Sequence, residues 1–387
     1  MKKIIQLIIR EFRLFFGNDV LCILFIGAPI LYGVLVGNVY KKGKVTDLPV
    51  VVVDEDRSIT SQKLIQMFEE NEVIKVVRVL GDRQNSQKIA SENGSSSVVI
   101  VPKDFESAVL TKRYPEITVF VDASNTLTAN FASNAINVCV SVLKAGIQIE
   151  TLKKQGLPEA VAYSQFEPFK LTFVKQNIRS GNYLYFMLPG VLLTVFQQVL
   201  LLGLALSFSS EFEKNTFKDL VRRVSNPFLL IMVKVIPYAL MSIGIVAIYY
   251  GFSLYYKLPL YSEVWPFVLS TTVFIFSVCF LGILGSLLFP TQLKATEVLM
   301  VVATPSFILS GFTWPLSQMP AWVQKIASVI PLTHYLEIYR ILFVEHGGSS
   351  RIKSPLNSLF LIGGFCFFLA FVVLWIRIRK INMGENS

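Results

Sequence analysis

Charged residues are scarce in this sequence. Asp, Glu, Lys and Arg make up 16% of the 387 residues, whereas hydrophobic residues make up 53% and the mean hydropathy is +0.57. A soluble globular domain is nearer to about one quarter charged. The composition therefore excludes an ordinary soluble domain and predicts an integral membrane protein.

Cysteine and histidine are also scarce, which excludes several kinds of site. There are four cysteines, no two of them in a C-x-x-C pair, and two histidines. This count argues against a disulfide framework and against a structural zinc site. Three of the cysteines lie inside apolar runs, where a thiol is a small packing group. We expect no metal and no cofactor.

Motifs for ATP binding and for common hydrolytic reactions are absent from the sequence. It contains no G-x-x-x-x-G-K-[ST], no G-x-S-x-G and no H-E-x-x-H. We therefore expect a chain that catalyses no reaction itself. The net charge of +10 does not predict nucleic-acid binding, because no compact basic patch with interleaved aromatic residues occurs.

Six apolar runs are long enough to cross a bilayer, which takes about 20 residues. They cover residues 20–40, 183–208, 235–256, 264–289, about 295–312 and 355–376. Lys and Arg gather before the first run, between the second and third, and after the sixth. Six spans place these three segments on one side, which the positive-inside rule assigns to the cytoplasm. Both termini are then cytoplasmic, and residues 41–180 are extracytoplasmic.

The N-terminal segment predicts a helix that lies in the membrane interface. Ile4, Ile5, Ile8, Phe12 and Phe15 fall on one face, and the basic residues fall largely on the other. We expect the first span to be an uncleaved anchor rather than a signal peptide, because its apolar run is long and no clear cleavage site follows.

Residues 48–160 have a different pattern from the rest of the chain. Short β-branched runs alternate four times with helical segments, the last helix running from Thr126 to about Gln155. This alternation predicts an α/β domain with crossover connections. The acids Asp54, Glu55 and Asp56 follow the first strand, and we favour a solvated turn there over a ligand or metal site. The predicted fold is thus an α-helical integral membrane protein with six transmembrane helices and an inserted extracytoplasmic α/β domain.

The predicted organisation has three parts. Residues 1–40 form the amphipathic helix and the first transmembrane helix, and residues 41–180 form the extracytoplasmic α/β domain. Residues 181–387 hold transmembrane helices two to six. Within this last part we predict a cytoplasmic coupling segment at 209–231 and an external hairpin at 312–354.

Two stretches resemble ABC-2 type permeases, the membrane subunits of a class of ABC exporters. In residues 209–238, Glu211, Glu213, Lys214 and Thr216 match the family's Glu-x-Glu-Lys-Gly-Thr pattern, and Asn215 replaces its glycine. Asn tolerates the same backbone region as glycine, so the departure is mild. Residues 309–347 resemble the extracytoplasmic end of the same family. The resemblance covers essentially the whole chain in span count and loop sizes.

The resemblance implies that the coupling segment docks on a separate ABC ATP-binding subunit, with Glu211, Glu213, Lys214 and Thr216 as its coupling residues. Its interleaved charged and apolar residues also suit an interfacial helix that merely caps the span. A second permease chain is implied, as a homodimer or a paralogous heterodimer. The resemblance further implies export of a drug-like, lipidic or other amphipathic compound across a bacterial inner membrane, among membrane lipids. A periplasmic adaptor is a hypothesis based on the size of the external domain.

A polar stripe interrupts the apolar sequence near the C-terminal end. His334, Glu337 and Arg340 are spaced i, i+3, i+6, which places them on one helix face. The preceding tryptophans and prolines predict an interfacial hairpin. We favour local ion pairing of Glu337 with His334 or Arg340, and a substrate or proton gate is the alternative. No nucleophile or metal set accompanies them, which argues against catalysis.

Two other classes of membrane protein remain as alternatives. An ion-coupled secondary transporter places acids, His or Arg in mid-membrane. Here the spans are almost bare, because Lys234 and Glu297 lie near span ends. A membrane-anchored receptor needs one or two spans rather than six.

Overall fold

The computed structural model of the protein describes residues 2–166, 182–259 and 264–383. These residues divide into two compact units. The helix unit contains the residues up to Gly43 and the helices from Tyr183 onward, and the sheet unit contains the described residues from Lys44 to Phe166. The predicted boundary between the external domain and the second span, at residues 180 and 181, lies outside the described residues.

The first helices form the N-terminal part of the helix unit. They are α1 (Lys2–Phe16), α2 (Asp19–Cys22), a π-helical turn (Ile23–Gly27) and α3 (Ala28–Val39). Helix α2 starts where the side chain of Asn18 accepts a hydrogen bond from the Leu21 amide. Helix α1 buries Leu7 and Phe15 against the other helices and leaves Ile5 and Ile9 exposed, so it has apolar residues on two faces.

The sheet unit alternates strands and helices as the sequence predicts. Its elements are β1 (Leu48–Asp54), α4 (Ile59–Glu69), β2 (Ile74–Leu80), α5 (Ser86–Glu92), β3 (Ser97–Val101), α6 (Phe105–Leu110), β4 (Thr118–Val121), α7 (Thr126–Lys154) and α8 (Glu159–Phe166). The strand order is β2-β1-β3-β4. Strand β1 is parallel to β2 and β3, whereas β4 is antiparallel to β3 and so differs from the all-crossover arrangement.

The acids after β1 serve the turn that follows it. The Asp54 carboxylate accepts hydrogen bonds from the backbone amides of Asp56 and Arg57, at 3.1 and 2.9 Å, and from the Ser61 hydroxyl, at 2.8 Å. The turn is therefore stabilised internally. Among the described residues no group of His, Cys, Asp and Glu is arranged to hold a metal ion.

The remaining helices complete the helix unit. They are α9 (Tyr183–Glu213), α10 (Phe217–Arg223), α11 (Pro227–Tyr255), α12 (Val264–Leu288), α13 (Gln292–Ala303), α14 (Ser306–Leu309), a 3₁₀ turn (Leu316–Gln318), α15 (Ala321–Ala327), α16 (Pro331–Tyr339), a π-helical turn (Arg340–Val344) and α17 (Lys353–Asn382). Helix α9 is apolar on all sides and packs against α3, α12 and α13, so it forms the centre of the unit.

Seven helices in the described residues are long and apolar enough to cross a membrane. Six of them coincide with the runs that the sequence predicts. The seventh is α7, which the sequence assigns to the α/β domain. Its residues Ala132, Ile136, Cys139 and Leu143 pack against β1 and β3 of the sheet unit. Helix α7 is therefore long and apolar enough to cross a membrane, although one of its faces is buried in the core of the sheet unit.

Helix α3 packs against α11 through two glycines spaced four residues apart. The ring of Phe252 lies directly over Gly33, and the ring of Tyr256 lies over Gly37. A side chain on either glycine would collide with those rings. Small residues at this spacing let membrane helices approach closely. The two glycines thus determine where α3 lies against α11.

The two ends of the helix unit are distinguished by their chemistry. We call the end where α9 finishes and α11 begins the ionic end, because a buried cluster of charges lies there. The end where α9 begins and α11 finishes is called the aromatic end. There Phe186 stacks on Phe312 and Phe274 stacks on Tyr335.

Candidate functional site

The coupling segment begins where α9 ends. Asn215 adopts the left-handed conformation (φ 55°), in which asparagine replaces glycine at little cost. The Thr216 amide then donates to the Glu211 carbonyl at 2.9 Å, and the Asn215 amide donates to the Phe212 carbonyl at 3.2 Å. This is the usual way of closing a helix with a left-handed residue. The backbone thus turns sharply into α10.

The Glu211 carboxylate is the centre of a buried ion cluster. It lies 2.9 Å from the Lys234 ammonium and 2.9 Å from the Arg10 guanidinium, and it accepts a hydrogen bond from the Thr216 hydroxyl. A second carboxylate, that of Glu11, lies 2.9 Å from the same Lys234 ammonium. Lys234 and Glu211 are each 1% exposed and Glu11 is 8% exposed.

The cluster contains two positive and two negative charges, so its formal charge is zero. Removing charges from water is costly, and their attraction repays the cost only when each one is paired and hydrogen-bonded. Here Lys234 also donates to the Ser207 carbonyl at 3.4 Å and lies 5.6 Å from the Phe208 ring centre. The cluster therefore joins α1, the end of α9 and the beginning of α11 at one point.

Sequence reasoning placed Glu211 and Thr216 together but missed the other members of the cluster. The sequence pattern places Arg10 with the basic residues on the face opposite the apolar one, and it gives Lys234 only as a charge near a span end. A signal was present, because Glu11 is the only acid among the first eighteen residues and Lys234 is the only charge in a long apolar run. Isolated opposite charges in apolar segments tend to find each other in a membrane protein.

Two of the predicted coupling residues lie at the surface of the ionic end. Glu213 accepts hydrogen bonds from the backbone amide and the side-chain amide of Gln292, both at 3.0 Å, and so caps the start of α13. Lys214 is exposed. The four residues therefore divide into an internal pair, Glu211 and Thr216, and an external pair.

Helix α10 is amphipathic, as the sequence predicts. Phe217, Leu220 and Val221 are buried, whereas the charged residues on its other side are exposed. The Arg377 guanidinium of α17 lies 4.3 Å from the ring centre of Phe212 and donates to the Leu287 carbonyl at 2.9 Å. The coupling segment is thus held by the apolar packing of α10 and by the contact of Arg377 in α17 with Phe212.

The polar stripe of α16 is dispersed in the structure. The His334 ring Nε2 lies 2.8 Å from the Ser328 carbonyl, and Glu337 is exposed. Arg340 donates to the Gly311 carbonyl at 3.3 Å and lies 5.7 Å from the Phe312 ring centre. Within residues 264–383, no ion pair joins Glu337 to His334 or Arg340. The expected local pairing is therefore wrong, because the His334 ring and the Arg340 guanidinium lie against backbone carbonyls instead of Glu337.

A buried glutamine connects α9 to the hairpin. The Gln197 side chain donates to the Ser306 hydroxyl at 3.1 Å and accepts from the Leu332 amide at 3.0 Å. It is 1% exposed. One polar side chain in the middle of α9 thus holds the start of α14 and the start of α16, where no intrahelical partner exists for the Leu332 amide.

Comparison with known proteins places the chain in a family. The family model described as "ABC-2 family transporter protein" matches residues 20–373. The chain is 23% identical over 399 residues to "Inner membrane transport permease YhhJ" of Escherichia coli (strain K12), with 98% of each chain covered. It is 21% identical to "Probable multidrug ABC transporter permease YbhR" of the same organism, over 86% of this chain and 88% of that one.

A third similarity points the same way. The chain is 22% identical to "Probable multidrug ABC transporter permease YbhS" of Escherichia coli (strain K12), over 73% of this chain and 72% of that one. Membership of such a permease family implies an ATP-binding partner and a second permease subunit. The family match extends from the first apolar helix almost to the end of the last. The chain therefore belongs to the ABC-2 transporter family, as a multi-pass membrane subunit of an ABC transporter.

Proposed function

We propose that the chain is the permease half of an ABC exporter and that its ionic end receives the motion of a separate ATP-binding subunit. The observation that carries this proposal is the connection between α10 and the buried ion cluster. Thr216, one residue before α10, hydrogen-bonds Glu211, and Glu211 is ion-paired to α1 and α11. A displacement of α10 would therefore act on three helices at once.

The docking surface is the exposed charged side of α10 and the turn before it. Lys214, Asp219, Arg222 and Arg223 are exposed there. Exposed charges of mixed sign are suited to a soluble partner, since they steer and orient it without deep desolvation. Glu211 and Thr216 act inside this arrangement as positioning residues, and Glu213 holds the neighbouring loop.

The membrane arrangement that fits this role has six crossings, with the ionic end in the cytoplasm. Helix α7 then stays with the sheet unit, whose core its buried face helps to form. The sheet unit would face the outside of a bacterial inner membrane, and a periplasmic adaptor remains a candidate partner for it. The exported compound is proposed to be drug-like or otherwise amphipathic, which the printed names of two relatives support.

Co-purification tests the proposal. We would tag the chain at its C-terminus, solubilise native membranes gently, and identify what elutes with it. We expect a soluble ATP-binding protein in stoichiometric amount, together with ATPase activity. The double change Lys214→Glu with Arg222→Glu should reduce both, because it reverses two exposed charges of the docking surface.

A matched control lies at the aromatic end. Lys325 and Lys353 are exposed there, and Lys325→Glu with Lys353→Glu makes the same change in net charge. This control should leave the co-purifying ATPase unchanged. Elution of the chain alone, before and after cross-linking in the membrane, would contradict the proposal.

A further inference from the structure

A cavity of about 560 Å³ lies inside the helix unit, between α9, α11, α12 and α16. Its lining residues belong to the second to fourth turns of α9, the last four turns of α11, the first two turns of α12, and α16 with the turn after it, together with Leu258 after α11. These parts meet at the aromatic end. The cavity is therefore separated along the helix axes from the ion cluster, and a single chain provides all of its walls.

Among the described residues, the lining of the cavity is rich in aromatic rings and carries no charged side chain. Seven of its seventeen residues carry aromatic rings, and none of the seventeen is Asp, Glu, Lys, Arg or His. The volume falls in the range of about 300–1,000 Å³ that is usual for sites of drug-sized ligands. A charged group placed here would lose its hydration without gaining a counter-ion. The chemistry of the walls therefore selects a neutral molecule, and the rings favour one with aromatic groups of its own.

One lining residue that the structure describes carries a fully buried polar group without a partner. The Tyr249 hydroxyl is buried, and within the described residues it makes no hydrogen bond. Two of the other lining hydroxyls are occupied: that of Tyr335 is 2.7 Å from the Thr271 hydroxyl, and that of Ser253 donates to the Tyr249 carbonyl at 2.9 Å. The hydroxyls of Tyr250 and Tyr339 make no hydrogen bond within the described residues, but among these lining residues only that of Tyr249 is also fully buried. A buried hydroxyl without a hydrogen-bond partner costs free energy. A ligand that hydrogen-bonds to it would remove this cost and would bind more tightly as a result.

The exposed side of the cavity is formed by residues of α11 and α12. Ile243 and Tyr250 on α11 and Val264 on α12 line it and are respectively 63%, 56% and 66% exposed. This exposed side is thus bordered by apolar side chains on the outer surface of the helix unit. A compound dissolved in the bilayer could enter from the side without crossing a polar barrier.

We propose that this cavity binds a neutral, ring-containing amphiphile with one hydrogen-bonding group, and that the Tyr249 hydroxyl is the partner of that group. The site lies within one chain rather than between two, so each permease chain holds its own ligand. The inference deepens the proposed function and rests on it for the claim that the ligand is a transported compound. Binding itself requires neither ATP nor the ATP-binding subunit.

Photolabelling in native membranes tests the site directly. The probe is 4-methylbenzophenone, a neutral two-ring ketone whose carbonyl can accept a hydrogen bond from Tyr249. We expect adducts on the lining residues of α11, α12 and α16 after illumination and peptide mass spectrometry. Adducts spread evenly over all lipid-exposed helices would overturn the proposal.

Two competitors of the same shape isolate the hydrogen bond. Benzhydrol and diphenylmethane share two phenyl rings, and benzhydrol adds one hydroxyl group. Benzhydrol should protect against labelling at about tenfold lower concentration than diphenylmethane, the usual weight of one buried hydrogen bond. In Tyr249→Phe this difference should vanish. The variant should fold normally, because the hydroxyl it removes has no partner in the described structure.

Steric blocking provides an independent check. Ala247 lines the cavity from α11 and is exposed, so Ala247→Trp should fill its exposed side and abolish specific labelling. Gly244 lies on the same helix outside the lining, with open space around it, and Gly244→Trp should leave labelling unchanged. Equal labelling of both variants would overturn the site.

Two further outcomes separate the claims. If Ala247→Trp blocked labelling but benzhydrol and diphenylmethane competed equally in both backgrounds, the cavity would be an acyl-chain pocket for lipid, and the proposed ligand class would be wrong. Because the assay contains no nucleotide, failure of the site would leave the co-purifying ATPase intact. Loss of that ATPase, in turn, would not affect the labelling.

Discussion

The two ends of the helix unit differ in the side chains that they bury: charged groups at the ionic end, and aromatic and apolar groups at the aromatic end. At the ionic end, three buried charged side chains lie together with the half-buried Arg10, and the four formal charges cancel. At the aromatic end, rings stack around an uncharged cavity, and polar contacts are few and singly placed. Ion pairs fix a precise geometry, since breaking one leaves an unpaired charge. Aromatic and apolar walls tolerate different occupants, because their contacts are largely non-directional. The rigid geometry of the ionic end suits the proposed coupling role, and the adaptable walls of the aromatic end suit the proposed binding role.

The largest expected effect is a difference in labelling from outside the cell, because we predict that the two ends of the helix unit lie on opposite sides of the membrane. Ser225 near the ionic end and Ser349 near the aromatic end are both exposed, and the four native cysteines are buried or half-buried. In intact cells a membrane-impermeant maleimide should label Ser349→Cys and not Ser225→Cys. Permeabilised cells should show labelling of both. The exposed Ser91→Cys of the sheet unit should behave like Ser349→Cys. The reverse pattern would place the ionic end outside.

The ion cluster should respond strongly to the loss of its central cation. Lys234→Met leaves Glu11 and Glu211 buried without their shared partner, which costs about 3–5 kcal/mol when a buried pair is broken in this way. We expect a large drop in the thermal unfolding temperature of the solubilised protein. Lys234→Met with Glu11→Gln restores charge neutrality and should recover part of the loss. A single variant as stable as wild type would show that the cluster does not hold the three helices.

In the middle of α9, the buried Gln197 should matter less than the ion cluster. Gln197→Leu removes the acceptor of the Leu332 amide and the donor to Ser306, and we expect a loss of about 1–3 kcal/mol. Gln198→Leu is the control, because its side chain is half-buried and makes no hydrogen bond in the described residues. Thermal unfolding of the two variants measures the difference. Equal stability would mean that apolar packing alone positions the hairpin.

The smallest effect is expected at the cap of α13. Glu213→Ala removes the acceptor for both amides of Gln292, whereas Lys214→Ala next to it removes none. Since Glu213 is exposed, we expect little change in global stability. Hydrogen exchange of the first amides of α13 should become faster in Glu213→Ala and stay unchanged in Lys214→Ala. Unchanged hydrogen exchange in both variants would show that Glu213 does not stabilise the start of α13.

The sequence predicted regular elements better than contacts between them. All six predicted apolar runs are helices, and the strand–helix alternation of residues 48–160 is confirmed, because hydrophobic periodicity is a local property. Helix α7 shows the limit of composition, since it satisfies the membrane criterion while packing on a sheet. The antiparallel pairing of β4 likewise depends on long-range contacts.

The candidate site could be predicted only in part for the same reason. The Glu211–Thr216 turn is local, and the left-handed Asn215 was inferred from residue type alone. The pairing of Glu11 with Lys234 spans 223 residues along the chain, so no spacing rule could reveal it. His334 and Arg340 were expected to pair with Glu337, but the carbonyls that bind them belong to a hairpin whose path the sequence does not specify.

Site-specific cross-linking would show whether the ionic end contacts the ATP-binding subunit. The photoreactive residue p-benzoylphenylalanine would replace either Lys214 at the ionic end or Lys325 at the aromatic end, both exposed. After illumination of native membranes, we predict an adduct from position 214 that contains a soluble ATP-binding protein, and none from position 325. An adduct with that protein from position 325 alone, or from neither position while the complex remains intact, would contradict the account.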